Sequence, residues 1–190
     1  NEALPIRRAI GDRLGEASTL NNIGAAHQLL GEMRKALEKF NEVLPIARAT
    51  GDRRTEAITL SNIGTIYDSL GETQKALEKF NEALQIKRAG GDRQGEGVTL
   101  NNIGFVYQLL GETQRALEKY NEALPIRRAV GDRRGEADTL SNIGSIYRSL
   151  GETQMALEKY NEVLPIRLAM GDRRGEANTL NNIGRVYVSQ

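Results

Sequence analysis

Apolar side chains recur along this chain at steps of three and four. Between residues 51 and 71, Leu60, Ile63, Gly64, Tyr67 and Leu70 fall at i, i+3, i+4, i+7 and i+10, one stripe of an amphipathic helix. Asp52, directly after Gly51, is placed to cap that helix, and Glu56 lies close to its positive end. Gly71 predicts a left-handed stop. A second stripe follows in Ala76, Leu77, Phe80, Ala83, Leu84 and Ile86, and Gly91 ends it. The pattern predicts two helices, A and B, of about 18 residues and about 27 Å each. Alternating β-branched residues are missing, so no strand is predicted.

The same pair returns along the chain. Aligning Gly11, Gly51, Gly91, Gly131 and Gly171 gives a 40-residue frame, "GDRxxExxTLxNIGxxYxxLGExxxALEKxNExLPIxxAx". A fixed period of this length signals stacked structural repeats. The expected organisation is a single array over 1–190. It starts with a partial helix B at 1–10, continues through full repeats at 11–50, 51–90, 91–130 and 131–170, and ends with a helix A at 171–190. No linker or shift in composition breaks it. The chain starts at Asn1 in mid-frame, which reads as a piece of something longer.

Two features run against helix propensity. Gly24, Gly64, Gly104, Gly144 and Gly184 sit inside helix A, where glycine costs about 1 kcal/mol relative to alanine. Their recurrence predicts close approach by helix B, with Ala36 and its counterparts as the small partner. Single mid-helix glycines with no strand before them do not make a phosphate loop. The second feature is the proline of "EALPIRRAVGDRRGEA" (122–137), since an interior proline costs about 3 kcal/mol. The apolar stripe Ala123, Ile126 and Val130 continues past Pro125 in helical phase, while Pro125 shares the polar face with Glu118, Asn121 and Arg128. Gln85 holds the same slot one repeat earlier. Helix B is therefore expected to bend at the proline and continue to about residue 129; the alternative is a stop near residue 123.

Composition removes several function classes. Lys and Arg number 26 against 25 Asp and Glu, so global charge calls for neither nucleic acid nor membrane. Cysteine is absent, excluding thiolate catalysis, disulfides and Cys-ligated metal sites. No apolar run approaches the roughly 18–20 residues that span a bilayer, and no signal peptide is visible. Cytoplasmic residence is the default expectation. No nucleophile–base pair or metal-ligand spacing stands out, so neither an enzyme nor a cofactor is expected. His27, the only histidine, replaces the tyrosine found at 67, 107, 147 and 187; it reads as a substitution at the core edge with a hydrogen-bonded ring nitrogen.

The residues Leu60, Asn62, Ile63, Gly64, Tyr67, Gly71, Ala76, Phe80, Ala83 and Leu84 resemble the tetratricopeptide repeat pattern, and the resemblance covers the whole chain. Two departures stand out: a period of 40 in place of the usual 34 or so, and a proline inside helix B. Both are similar to the longer-repeat branch that includes kinesin light chains, Pins-type scaffolds and bacterial multidomain arrays. The resemblance implies an all-α, right-handed superhelical solenoid of antiparallel helix pairs. It also implies a concave groove lined by helix A that binds a protein or peptide.

Repeat arrays bury the positions their copies share and present those that vary. Successive repeats read Ser18, Ala25, Gln28; Ile58, Thr65, Asp68; Val98, Phe105, Gln108; Asp138, Ser145, Arg148; and Asn178, Arg185, Val188. Beside them run Asn22, Asn62, Asn102, Asn142 and Asn182. An asparagine amide donates and accepts at once, which suits the backbone of an extended peptide, and the resemblance implies that use. The alternative is a ladder of asparagines bonded to neighbouring helices. Specificity would come from an apolar centre (Ile58, Val98, Phe105, Leu109) and from Thr65, with basic character at Arg148 and Arg185. The expected ligand is an extended segment with an apolar anchor and an acidic residue. Arginines at the repeat junctions, such as Arg127, Arg128, Arg133 and Arg134, alternate with Asp132 and Glu136 without aromatic residues between them, so solvated ion pairs are expected there and nucleic acid is not. Apolar array ends would allow head-to-tail self-association, and a structural spacer of this kind is the alternative function.

Overall fold

The computed structural model describes residues 2–188. Its ten helices divide between two units, residues 1–92 and 93–190. The first unit holds α1 (Ala3–Ala9), α2 (Arg13–Leu29), α3 (Met33–Thr50), α4 (Arg53–Ser69) and α5 (Thr73–Ala89). The second holds α6 (Arg93–Leu109), α7 (Thr113–Ala129), α8 (Arg133–Ser149), α9 (Thr153–Ala169) and α10 (Arg173–Val188). No strand occurs among the described residues.

Local chemistry sets these boundaries. The Asp52 carboxylate accepts from the Thr55 backbone N–H at 3.0 Å and caps α4; Asp12, Asp132 and Asp172 do the same for α2, α8 and α10. Gly51 (φ 70°) and Gly71 (φ 75°) take the left-handed conformation that ends α3 and the α4 turn. The turns leave paired helices antiparallel. In the first unit Gly24 of α2 faces Phe40 of α3, while Ala17 and Leu20 cluster with Val43 and Ile46. In the second, Gly104 faces Tyr120 and Gly97 faces Ile126.

Each core crosses from one hairpin to the next. Phe40 and Leu44 of α3 pack with Leu60, Ile63 and Ile66 of α4 and with Ala83 and Ile86 of α5. In the second unit Tyr120 and Leu124 join Leu140, Ile143 and Ile146 and then Val163 and Ile166. Each such apolar side chain contributes about 1.5–3 kcal/mol when fully buried. A hairpin alone would leave one face open, so neighbouring repeats hold each other.

Helix B does pass through its proline: α3, α7 and α9 are continuous across Pro45, Pro125 and Pro165. Pro125 is exposed together with Glu118, Asn121 and Arg128, so water reaches the carbonyl the proline leaves unbonded. A stop near residue 123 is excluded. Two packing expectations are corrected. A Cβ on Gly24, Gly64, Gly104 or Gly144 would meet the Phe40, Phe80, Tyr120 or Tyr160 ring at 2.7–2.9 Å, so the nearest neighbour of each glycine is a large aromatic ring and not Ala36 or its counterparts. Val130 is exposed, and the buried stripe of α7 ends instead on Arg127.

Candidate interaction face

Consecutive A helices touch directly within each unit, α2 with α4, α6 with α8, and α8 with α10. Their variable positions therefore lie side by side. On α4, Ile58, Asn62 and Thr65 follow one helical stripe, with Ile58 exposed and the other two half-buried. On α6, Val98, Asn102, Phe105 and Leu109 do the same, and Phe105 and Leu109 are 43% and 58% exposed. The adjacent stripe, Leu100, Ile103 and Val106, is fully buried. Arg148 of α8 is half-buried, and Arg185 of α10 is exposed.

The asparagines do not behave alike. The Asn142 amide donates to Asn101 Oδ1 at 3.4 Å, and the Thr139 hydroxyl donates to the same oxygen at 3.0 Å, linking α8 to α6. Among the described residues, Asn22, Asn62, Asn102 and Asn182 make no side-chain hydrogen bond. The buried Tyr160 hydroxyl has its pKa raised by burial, an effect opposed by the nearby Arg148, Ser145 and Arg185. The counterpart Tyr120 hydroxyl donates to Gln108 at 3.2 Å. Asp68 holds the Gln108 position in the first unit, where burial raises its carboxyl pKa.

The junction arginines split into two kinds. Arg8, Arg48 and Arg128 are the solvated, paired residues expected. Each reaches a glutamate on the next A helix and another on the next B helix: Glu16 and Glu42, Glu56 and Glu82, Glu136 and Glu162, at 2.7–3.4 Å. Arg127 and Arg167, which fall one position earlier on helix B, are buried instead. Arg127 pairs with Asp132 at 2.6 Å, and Arg167 pairs with Asp172 at 2.9 Å and with Asp138. The Nε of both arginines is buried without a hydrogen-bond partner. Lys87 is buried at the same place and donates to Ser61 Oγ at 2.9 Å. Sequence reasoning placed Arg127 in solvent, although Tyr120, Ala123, Leu124 and Arg127 keep the core spacing of i, i+3, i+4 and i+7.

His27 sits at the core edge with Nδ1 2.5 Å from a Glu32 carboxylate oxygen. Among the described residues, no group of three or more His, Cys, Asp or Glu is placed to hold a metal ion. No described helix is long and apolar enough to cross a membrane.

Helical hairpins of 40 residues, each packing a helix A glycine against a helix B aromatic ring, define a helix-pair repeat protein. The tetratricopeptide repeat profile matches residues 1–49, 15–89 and 95–169, and the chain belongs to that family. No curated protein sequence matches it. Among solved structures it is similar to BtubC (BKLC) from P. vanneervenii, at 23% identity and TM-score 0.85 over 98% of this chain and 79% of that one. It also resembles a Signal Transduction ATPase with Numerous Domains protein with a tetratricopeptide repeat sensor from Pyrococcus horikoshii. That match has 18% identity and TM-score 0.85 over 94% of this chain and 28% of the other. A third is a Podosopora anserina kinesin light chain with nearly identical repeats, at 16% identity and TM-score 0.74 over 90% and 84%. At these identities the likeness concerns the fold.

Proposed function

We propose that the chain is a non-enzymatic, cytoplasmic interaction scaffold whose two units act as one array. It binds an extended protein segment along the helix A face. The observation that carries this reading is the exposed apolar stripe of α6. Phe105 and Leu109 face solvent on a helix whose neighbouring stripe is fully buried. A protein surface keeps such side chains exposed at a cost in solubility, and contiguous ones mark interaction sites. Asn102, free of internal bonds, supplies the peptide-backbone contact, and Arg148 and Arg185 meet an acidic residue of the ligand. The test is capture of partners by the intact array compared with one carrying Asn102→Ala and Asn142→Ala. Unchanged capture removes the asparagine contact, and a total absence of captured partners removes the scaffold reading.

The bond from Asn142 to Asn101 favours a second reading, a structural array whose asparagines hold neighbouring repeats together. Self-association through apolar ends belongs to that reading and would appear as concentration-dependent sedimentation.

A further inference from the structure

A cavity of about 410 Å³ opens in the first unit between the start of α4 and the end of α5. Its apolar wall is Ala57, Ile58 and Ile86, and Arg53, Arg54 and Lys87 supply cations around it. The stretch 133–172, two repeats on, has the same residues at most of these positions: Arg133, Arg134, Ala137, Ile166 and Asp172 stand for Arg53, Arg54, Ala57, Ile86 and Asp92. Only three lining positions differ. Ile58 stands where that stretch has Asp138, Lys87 where it has Arg167, and Gly90 where it has Met170. Arg167 spans the equivalent place, its guanidinium held between Asp138 and Asp172. In the 51–90 repeat the aspartate is gone and Lys87 turns to Ser61. At Gly90 an added Cβ would lie near only Ile86 O (3.3 Å) and Lys87 O (3.9 Å). Ile58, Lys87 and Gly90 are thus what set this lining apart from its counterpart.

Size and charge identify the occupant. The volume falls within the roughly 300–1,000 Å³ of small-molecule sites, which are mostly apolar with a few placed polar groups. A single side chain reaching in from a partner would leave much of it empty and forfeit contacts with the walls. Arg53 is committed to Glu56 at 2.6 Å, and Asp92 lies beside Lys87. Arg54 forms no ion pair among the described residues. Its charge acts on the nearby Asp52 without a direct ion pair, so its guanidinium donors stay available beside the apolar wall. We infer that this cavity binds a small monocarboxylate with an apolar body, its carboxylate toward Arg54 and Lys87 and its body against Ile58 and Ile86. Burial lowers the Lys87 pKa, and an anion alongside would restore it. This site shares Ile58 with the helix A face, but it is read by ligand shifts in the cavity and not by peptide capture, so the two readings can fail separately.

The probe is 4-phenylbutyrate, with 4-phenylbutanol and 4-phenylbutylamine as neutral and cationic matches. The readout is the methyl NMR signals of Ile58 and Ile86 in the whole chain. The carboxylate should shift both signals saturably, and the alcohol and amine should bind at least about tenfold more weakly. Two variants copy the 131–170 repeat, Gly90→Met and the pair Ile58→Asp with Lys87→Arg, the latter read at Ile86. Each should weaken the carboxylate at least about tenfold, with helical circular dichroism showing that it remains folded. Asn102→Ala with Asn142→Ala should leave the shifts unchanged. Equal shifts from the alcohol, shifts that survive both folded variants, or no shift at all would overturn the assignment. So would a phenylalanine-ending peptide that shifts the methyls when free 4-phenylbutyrate does not.

Discussion

Replacing one helix A glycine by alanine should have opposite effects at two sites of the same sequence motif. At Gly64 a Cβ would lie 2.8 Å from Phe80 Cδ1 and Cε1. Carbon atoms in contact settle at about 3.5–4.0 Å, so the ring would have to retreat by about 0.7 Å. Phe80 is almost completely buried, in an interior packed as closely as protein cores are. Overpacking of this kind costs about 1–3 kcal/mol, against about 1 kcal/mol gained in helix propensity. Gly64→Ala should therefore destabilise by up to about 2 kcal/mol. At Gly184 nothing lies within 4 Å of the added Cβ, and Gly184→Ala should stabilise α10 by up to about 1 kcal/mol. Repeat arrays do not unfold in one step, so amide hydrogen exchange, read helix by helix, is the suitable assay. Exchange in α4 and α5 should speed up in the first variant, and exchange in α10 should slow in the second. Combining Gly64→Ala with Phe80→Leu should recover about 1 kcal/mol relative to the sum of the single changes. Slower exchange in α4 of Gly64→Ala would show that the ring yields freely, and the steric account would be wrong.

Two further outcomes follow from the same structure. Pro125→Ala should raise the urea midpoint of the second unit, by the equivalent of about 1–3 kcal/mol, because α7 already runs through an exposed proline and regains one hydrogen bond; a lowered midpoint would mean that the proline shapes the packing. The first unit should also lose stability in acid. Hydrogen bonds from Arg8 hold Glu16, and from Lys39 hold Glu42, below the ordinary carboxyl value of 4.5. Their stabilisation is complete above that value and is lost as pH falls through it toward the depressed folded value. Glu42→Gln should show a smaller drop in urea midpoint between pH 7 and pH 3 than the parent chain, and an equal drop would remove Glu42 from the account.

Most of the fold could be read before any coordinates because the same local signals recur. The Asp52 cap, the Gly71 stop and the phase running past Pro125 each depend on residues within one or two turns. The partner of Gly64 could not be read in this way. A small residue says that something approaches, and only the antiparallel register shows that the Phe80 ring, ahead of Ala76, is what lies nearest. Arg127 was misplaced for a related reason. Its charge suggested solvent and its spacing suggested core, and the core position prevailed because Asp132 supplies a partner five residues on. The hollow beside Lys87 had a visible sign in Gly90, the one position of its column without a side chain, but a single missing side chain does not reveal the volume it leaves.

The left-handed glycines recur every 20 residues from Gly11 to Gly171, with φ between 66° and 77°. Because alternate joints are alike, whole hairpins are interchangeable parts. Deleting 51–90 would join Thr50 to Gly91 and Asp92, recreating the Thr-Gly-Asp junction already present at 50–52. Duplication or loss of one 40-residue block thus passes from gene to foldable protein without a new core having to be invented. Array length can drift through inheritance in whole-repeat steps, whereas the combination of Ile58, Lys87 and Gly90 would be gained or lost in a single event.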